Sequence, residues 1–243
     1  MRTFVFAKRC AKEILRDPLN LAFGLGFPIV LLLLLSAIQA NIPVALFEIQ
    51  HLAPGVAVFG LSFMCLFSAT LIAKDRESAL LQRLYATPLK AVDFILGYTL
   101  SMIPIAVGQV CVSYFVAVAL GLPFSVHILY AVFASLPIAI FYVVLGLLFG
   151  STLNVKQVGG ICGALLTNLS AWLSGVWFDL KLVGGAFETI AKVLPFLHAV
   201  EAERAVISGE FMRAFTYSLP VLGYAVLVTV GAVLLFLRQM KRQ

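Results

Sequence analysis

Apolar residues in this chain gather in six long runs, near residues 20–40, 53–73, 92–120, 127–153, 157–178 and 215–237. An α-helix needs about 20 such residues to cross about 30 Å of hydrocarbon, so each run predicts a membrane span. The third and fourth are longer, enough to tilt or to project beyond the bilayer. Pro28, Pro104, Pro137 and Pro220 fall inside the runs; proline is tolerated in membrane helices, where it bends them. Ahead of the first run, residues 3–16 put Phe4, Ala7, Ala11 and Ile14 on one face at helical spacing and Lys8, Arg9, Lys12, Glu13 and Arg16 around the rest. That is the pattern of an amphipathic helix lying in the membrane interface, its basic face toward anionic headgroups. Asp17-Pro18 ends it and opens the next helix. The run from Leu19 to Ile38 exceeds the about 7–15 residues of a signal-peptide core, so it reads as the first span.

Composition makes lipid the solvent. Hydrophobic residues are 62% of the chain, charged residues 12%, and mean hydropathy is +1.07; soluble domains carry about 45–50% and about 25%. The expected fold is an all-α integral membrane six-helix bundle. Charge then orients it. Arg2, Lys8, Arg9, Lys12 and Arg16 precede the first span; Lys74, Arg76, Arg83 and Lys90 follow the second; Lys156 follows the fourth; Arg238, Lys241 and Arg242 close the chain. By the positive-inside bias both termini are cytoplasmic, which requires an even number of spans. Lys181, Lys192, Arg204 and Arg213 share the last external connection, 179–214. Its apolar stretches, 182–187 and 193–200, are too short to cross, and Glu188, Lys192, Glu201, Glu203 and Arg204 recur at helical spacing. Two short helices on either side of Pro195, dipping back into the outer leaflet, are expected there.

The chemistry is sparse. No Asp, Glu, Lys or Arg stands in the cores of the spans, where ion-coupled transporters place ionisable groups. No G-x-x-x-x-G-K-[ST] phosphate loop occurs, so the chain does not hydrolyse ATP alone. There is no nucleophile–base pair and no metal-ligating cluster. Cys10, Cys65, Cys111 and Cys162 read as small buried apolar residues, and His51, His127 and His198 are isolated near span boundaries. The most polar internal segment is Lys74-Asp75-Arg76-Glu77-Ser78-Ala79-Leu80-Leu81-Gln82-Arg83-Leu84. Its acids favour a helix N-terminus and Arg83 a C-terminus, and Leu80, Leu81 and Leu84 form an apolar ridge between charges. Thr87-Pro88 then caps and starts the next helix. A charged helix with a leucine ridge suits docking of a soluble partner.

That segment, followed by Thr87-Pro88 and Gly97, resembles the signature of the type-2 ABC transporter permeases, roughly E-R-E-x-G-T-L-x-x-L, then S/T-P, then a glycine in the next helix. The resemblance covers the whole chain: amphipathic N-terminus with Arg-Asp-Pro, six spans, helical external segment, and Pro195, Arg204 and Gly209 before the last span. Lys74-Asp75 near the first acid and Ser78-Ala79 in place of Gly-Thr depart from it. It implies a single transmembrane domain over 1–243, with a connecting helix at 1–18, a coupling helix at 74–90 and external re-entrant helices at 179–214. It also implies two copies of a separate ATP-binding subunit, which hold ATP and magnesium while this chain binds no cofactor. A second permease, identical or paralogous, completes the transporter, and no nucleic acid takes part. Asp75, Arg76, Glu77, Leu81 and Arg83 are then the coupling residues.

In the family the second and fifth spans line the translocation route. Phe59, Phe63 and Phe67 form an i, i+4, i+8 stripe on the second span, and Thr167, Asn168 and Trp172 stand on the fifth. Asn168 is costly to leave unpaired in hydrocarbon and is expected to face protein or a cavity. An apolar path suits a drug, a lipid or a lipid-linked compound. Gly146-x-x-x-Gly150 and Gly159-x-x-x-Gly163 are candidate sites of close helix approach. The expectation is the membrane subunit of an ATP-driven exporter in a prokaryotic cytoplasmic membrane. The alternatives are a non-transporting scaffold that tethers a soluble partner and, more weakly, a membrane-embedded enzyme.

Overall fold

The computed structural model describes residues 2–78 and 91–240, and among these all regular structure is helical. In chain order the elements are α1 (Arg2–Leu15), α2 (Pro18–Leu21), a π-helical turn (Ala22–Gly26), α3 (Phe27–Gln39), α4 (Ile49–Glu77), α5 (Ala91–Ala119) and α6 (Val126–Thr152). There follow α7 (Val155–Val158), a π-helix (Gly159–Leu166), α8 (Thr167–Leu173), a 3₁₀ turn (Leu180–Leu182), α9 (Gly185–Val193), α10 (Pro195–Ile207) and α11 (Phe211–Met240). Among the described residues, five helices are long and apolar enough to cross a membrane: Ala22–Gln39, Ile49–Glu77, Val92–Ala119, Val126–Thr152 and Phe211–Leu235. The run expected at 157–178 is broken. It is helical from Val155 but stops at Leu173, and Lys156, Gln157 and Asn168 dilute its hydropathy.

Burial ranks the helices. In α4, 89% of the apolar window is buried, against 22% for the first span and 17% for the last. α4 is therefore the central helix, about 44 Å long at 1.5 Å per residue, and the first and last spans leave most of their surface uncovered by the rest of the chain. α4 packs on α6, α5, α10 and α3, and α11 packs on α6 and α10. The α4–α6 contact is close because Gly146 and Gly150 have no side chain. A Cβ on Gly146 would stand 1.9 Å from Ser68 Oγ and 2.4 Å from the Cys65 carbonyl, and one on Gly150 would stand 2.5 Å from the Ala69 carbonyl. The Ser68 hydroxyl crosses the seam to the Val143 carbonyl at 3.0 Å. Gly159-x-x-x-Gly163 does not do the same. A Cβ on Gly159 meets nothing within 4 Å, and one on Gly163 reaches only the Leu66 side chain at 3.4 Å.

Local sequence explains the irregular turns. Pro28 has no N–H to offer the carbonyl of Gly24, four residues back, and the helix widens to a π-turn over Ala22–Gly26. At the second π-helix the Thr167 hydroxyl takes up the Cys162 and Gly163 carbonyls. Pro195 opens α10 at a position where no helical N–H is needed. Gly209 closes it at φ +81°, the left-handed C′ conformation that favours glycine.

Two expectations about surface positions fail. The buried face of α1 is Phe6, Ala7, Cys10 and Ile14, whereas Phe4 is 71% exposed. Phe6, one turn from Cys10, is what the bundle receives, and the hydrophobic count alone did not distinguish it from Phe4. Cys111 is exposed on α5, while Cys10, Cys65 and Cys162 are buried.

Candidate functional site

At the end of α4, Asp75 is drawn inward while Lys74 and Glu77 stay exposed. Asp75 is 2% exposed. Its two carboxylate oxygens accept both guanidinium nitrogens of Arg9 at 2.7 Å, and Oδ2 also accepts the Tyr98 hydroxyl at 2.8 Å. The bidentate fork joins α1 to α4, and Tyr98 adds α5. The hydrogen bond to Asp75 is the main reason the Arg9 guanidinium holds its proton more tightly than usual. Glu13, at 2.6 Å from Arg9, completes the group. Beside it the Cys10 thiol is pushed up to about 12, chiefly by burial, which keeps it protonated.

α1 is seated by packing as well. Phe6 meets Tyr98 edge-on at 4.9 Å and Phe94 at 5.6 Å between ring centroids. The Thr3 hydroxyl donates to Asp93 at 2.8 Å. Gly97 makes this possible, because a Cβ there would lie 2.4 Å from the Phe6 ring. The glycine noted after the polar segment thus has a physical role: it is the socket for α1.

The next two residues reach the other way. Arg76 donates one guanidinium nitrogen to the Ser151 carbonyl and the other to the Leu153 carbonyl at 2.6 Å. These are acceptors at the C-terminal end of α6, which a cation suits. Glu77 accepts from the Val155 N–H at 2.9 Å, one of the free donors at the start of α7. Asn154 and Gln157 form a capping box at the same turn. Three consecutive residues of α4 therefore hold α1, α5, α6 and α7. Among the coupling residues of the sequence reading, Asp75, Arg76 and Glu77 come together in this latch, whereas Leu81 and Arg83 lie outside the described residues.

The path residues divide. Phe59, Phe63 and Phe67 are buried and run as one stack, with 5.6 Å between the first two rings and 6.4 Å between the last two. Phe23 and Phe27 of the first span close over them, with centroids about 6 Å from Phe63 and Phe59. Thr167 is buried, but Asn168 and Trp172 are exposed. The Asn168 amide answers its own helix, donating to the Ala164 carbonyl at 2.8 Å. In the single chain the phenylalanine stack and the Asn168–Trp172 face are thus separate surfaces.

At the opposite end of α4, Arg204 of α10 donates to the His51 carbonyl at 3.2 Å and the Gly175 carbonyl at 3.0 Å, and pairs with Glu201 at 3.0 Å. One residue earlier, Glu203 is fully buried and accepts the Tyr114 hydroxyl at 2.9 Å. Burial pushes it up to about 8, with the Tyr114 bond pulling partly back. Arg9 and Asp75 are separated by 66 residues in sequence and Tyr114 and Glu203 by 89, so no local periodicity signals either pair.

The sequence model of the family described as "ABC-2 type transporter" matches residues 1–208 of the chain. A search of curated proteins finds no match.

Proposed function

The chain belongs to the ABC-2 type transporter family, and we propose that it is the permease subunit of an exporter driven by a separate ATP-binding subunit. The proposed assembly has two permeases and two ATPases in a prokaryotic cytoplasmic membrane. The broken helical stretch Val155–Leu173 serves as a sixth span, both termini lie in the cytoplasm, and α9–α10 lie at the outer leaflet. ATP and magnesium reside on the partner. The cargo is hydrophobic or amphipathic, a drug, a lipid or a lipid-linked molecule, because the phenylalanine stack and the span interiors offer no fixed charge to a small ion.

The observation that carries this reading is the latch at residues 75–77. A soluble ATPase that engages the segment following Ser78 displaces the end of α4. Asp75 passes that displacement to α1 and α5, and Arg76 and Glu77 pass it to α6 and α7. α4 is one continuous helix from Ile49 to Glu77, and its far end is tied through the His51 carbonyl to Arg204. A push on the cytoplasmic side therefore reaches the outer helices, as alternating access requires. A second copy covering Asn168 and Trp172 would give those exposed side chains the protein surroundings that polar groups in hydrocarbon need.

The test is the double variant Arg76→Ala/Glu77→Gln, co-expressed with the ATP-binding subunit. Basal ATP hydrolysis should persist while extrusion of a hydrophobic fluorescent dye falls to background. Normal extrusion at equal membrane abundance would refute the coupling role. Failure of any ATPase to co-purify with the wild type would favour a scaffold.

A further inference from the structure

The outer side of α1 carries charge that the latch leaves unused. A groove of about 710 Å³ opens beside Lys8, Arg9, Lys12, Arg16 and Lys74, within the roughly 300–1,000 Å³ typical of small-molecule sites. Lys8 and Lys12 stand one turn apart on α1, and Arg16, whose N–H still bonds the Lys12 carbonyl at 3.2 Å just past the end of the helix, continues the row. All three are exposed, and their side chains make no ion pair or hydrogen bond among the described residues. The other two cations are engaged. Arg9 holds Asp75 and Glu13, and Lys74 lies 3.5 Å from Asp17. Glu13 and Asp17 are the acids of the groove, so five cations face two carboxylates and the balance is positive.

The same groove has an apolar margin. Val5, which lines it, is 72% exposed, and Phe4 and Leu15 on α1 are 71% and 51% exposed. Pro18, also in its wall, begins the helical run into the first span, so the groove sits where that span leaves the hydrocarbon. A free anion matches only the cations. A molecule with a phosphate and an acyl tail matches both the cations and the apolar margin.

We propose that this groove is a binding site for an anionic phospholipid. Lys8, Lys12 and Arg16 hold its phosphate, with Lys74 contributing from α4, and the acyl chains run beside Val5 onto the first span. The site rests on the reading that α1 lies along the membrane surface. Because Arg9 belongs to both groove and latch, a bound lipid holds α1 where it meets Asp75.

Native mass spectrometry of the full chain, titrated with phosphatidylglycerol or phosphatidylcholine, tests this. The wild type should take up one phosphatidylglycerol at a concentration at least tenfold below that needed for phosphatidylcholine. Lys8→Gln/Lys12→Gln/Arg16→Gln should abolish that preference, with helicity and elution volume unchanged. The single variant Lys12→Glu should weaken it in the same direction. Equal uptake of the two lipids, or an undiminished preference in the triple variant, overturns the proposal. So does displacement of the lipid by inorganic phosphate at comparable concentration, which assigns the groove to a soluble phosphate compound. Loss of the co-purified ATPase with lipid uptake intact would make the row a protein-docking face instead. The Arg76→Ala/Glu77→Gln experiment reads coupling separately, so failure here leaves that reading standing.

Discussion

Replacing Asp75 by alanine removes the acceptor of three hydrogen bonds, two from Arg9 at 2.7 Å and one from Tyr98 at 2.8 Å. The donors do not suffer equally. The Arg9 side chain is 36% exposed and has Glu13 within 2.6 Å. It turns to that partner and to water, and the lost pair costs about 1 kcal/mol, as exposed ion pairs do. Tyr98 is 1% exposed, so its hydroxyl is left buried without an acceptor, a further cost of about 1–3 kcal/mol. The total is about 3 kcal/mol. At roughly 2–4 °C per kcal/mol for a chain of this size, the unfolding midpoint in detergent should fall by about 6–12 °C. Tyr98→Phe alone removes one charge-assisted bond and should cost about 1.5 kcal/mol. Asp75→Ala/Tyr98→Phe strands no hydroxyl, so it should be no less stable than Asp75→Ala. The cycle is therefore non-additive in a stated direction. Midpoints measured by intrinsic-fluorescence melting decide it. An unchanged Asp75→Ala midpoint, or simple addition of the two single effects, would refute the latch.

Gly146→Ala drives a methyl group into the Cys65 backbone and should cost about 1–3 kcal/mol by overpacking, whereas Gly159→Ala meets open space and should be neutral or stabilising by up to about 1 kcal/mol; equal melting behaviour of the two would deny the close α4–α6 seam. Gly97→Ala should loosen α1 from α5, so that limited proteolysis near residue 16 becomes faster than in wild type, and an unchanged cleavage rate would argue against the Phe6 socket. Glu203 is raised from 4.5 to about 8, so between those values the folded chain keeps a proton that the unfolded chain has lost. Stability then falls as pH climbs through that window and levels off above it. Glu203→Gln keeps an acceptor for Tyr114 and should flatten the midpoint between pH 5 and 9, while an identical slope in the variant would remove Glu203 as its source.

Five of the six expected spans, the amphipathic helix at the N-terminus and the paired short helices around Pro195 were legible in the sequence, because lipid imposes a length and a polarity that local composition records. The end of the second span was legible for the same reason: α4 runs to Glu77, into the cluster of charges that follows the apolar run. What those charges touch was not legible. Asp75, Arg76 and Glu77 are neighbours in sequence but point to different helices, and only the way α1, α5, α6 and α7 converge on α4 gives each its partner. The two Gly-x-x-x-Gly patterns are alike as text; one lies at a helix seam and the other does not, because which face of a helix meets a neighbour is a property of the bundle. Glu203 likewise reads as one polar residue in an amphipathic helix until α5 brings Tyr114 against it. Local sequence determines which segments leave water for lipid, since that transfer is decided segment by segment. Which polar groups find one another afterwards depends on how the segments pack, since a buried charge is stable only beside its partner and that partner is supplied by a distant part of the chain.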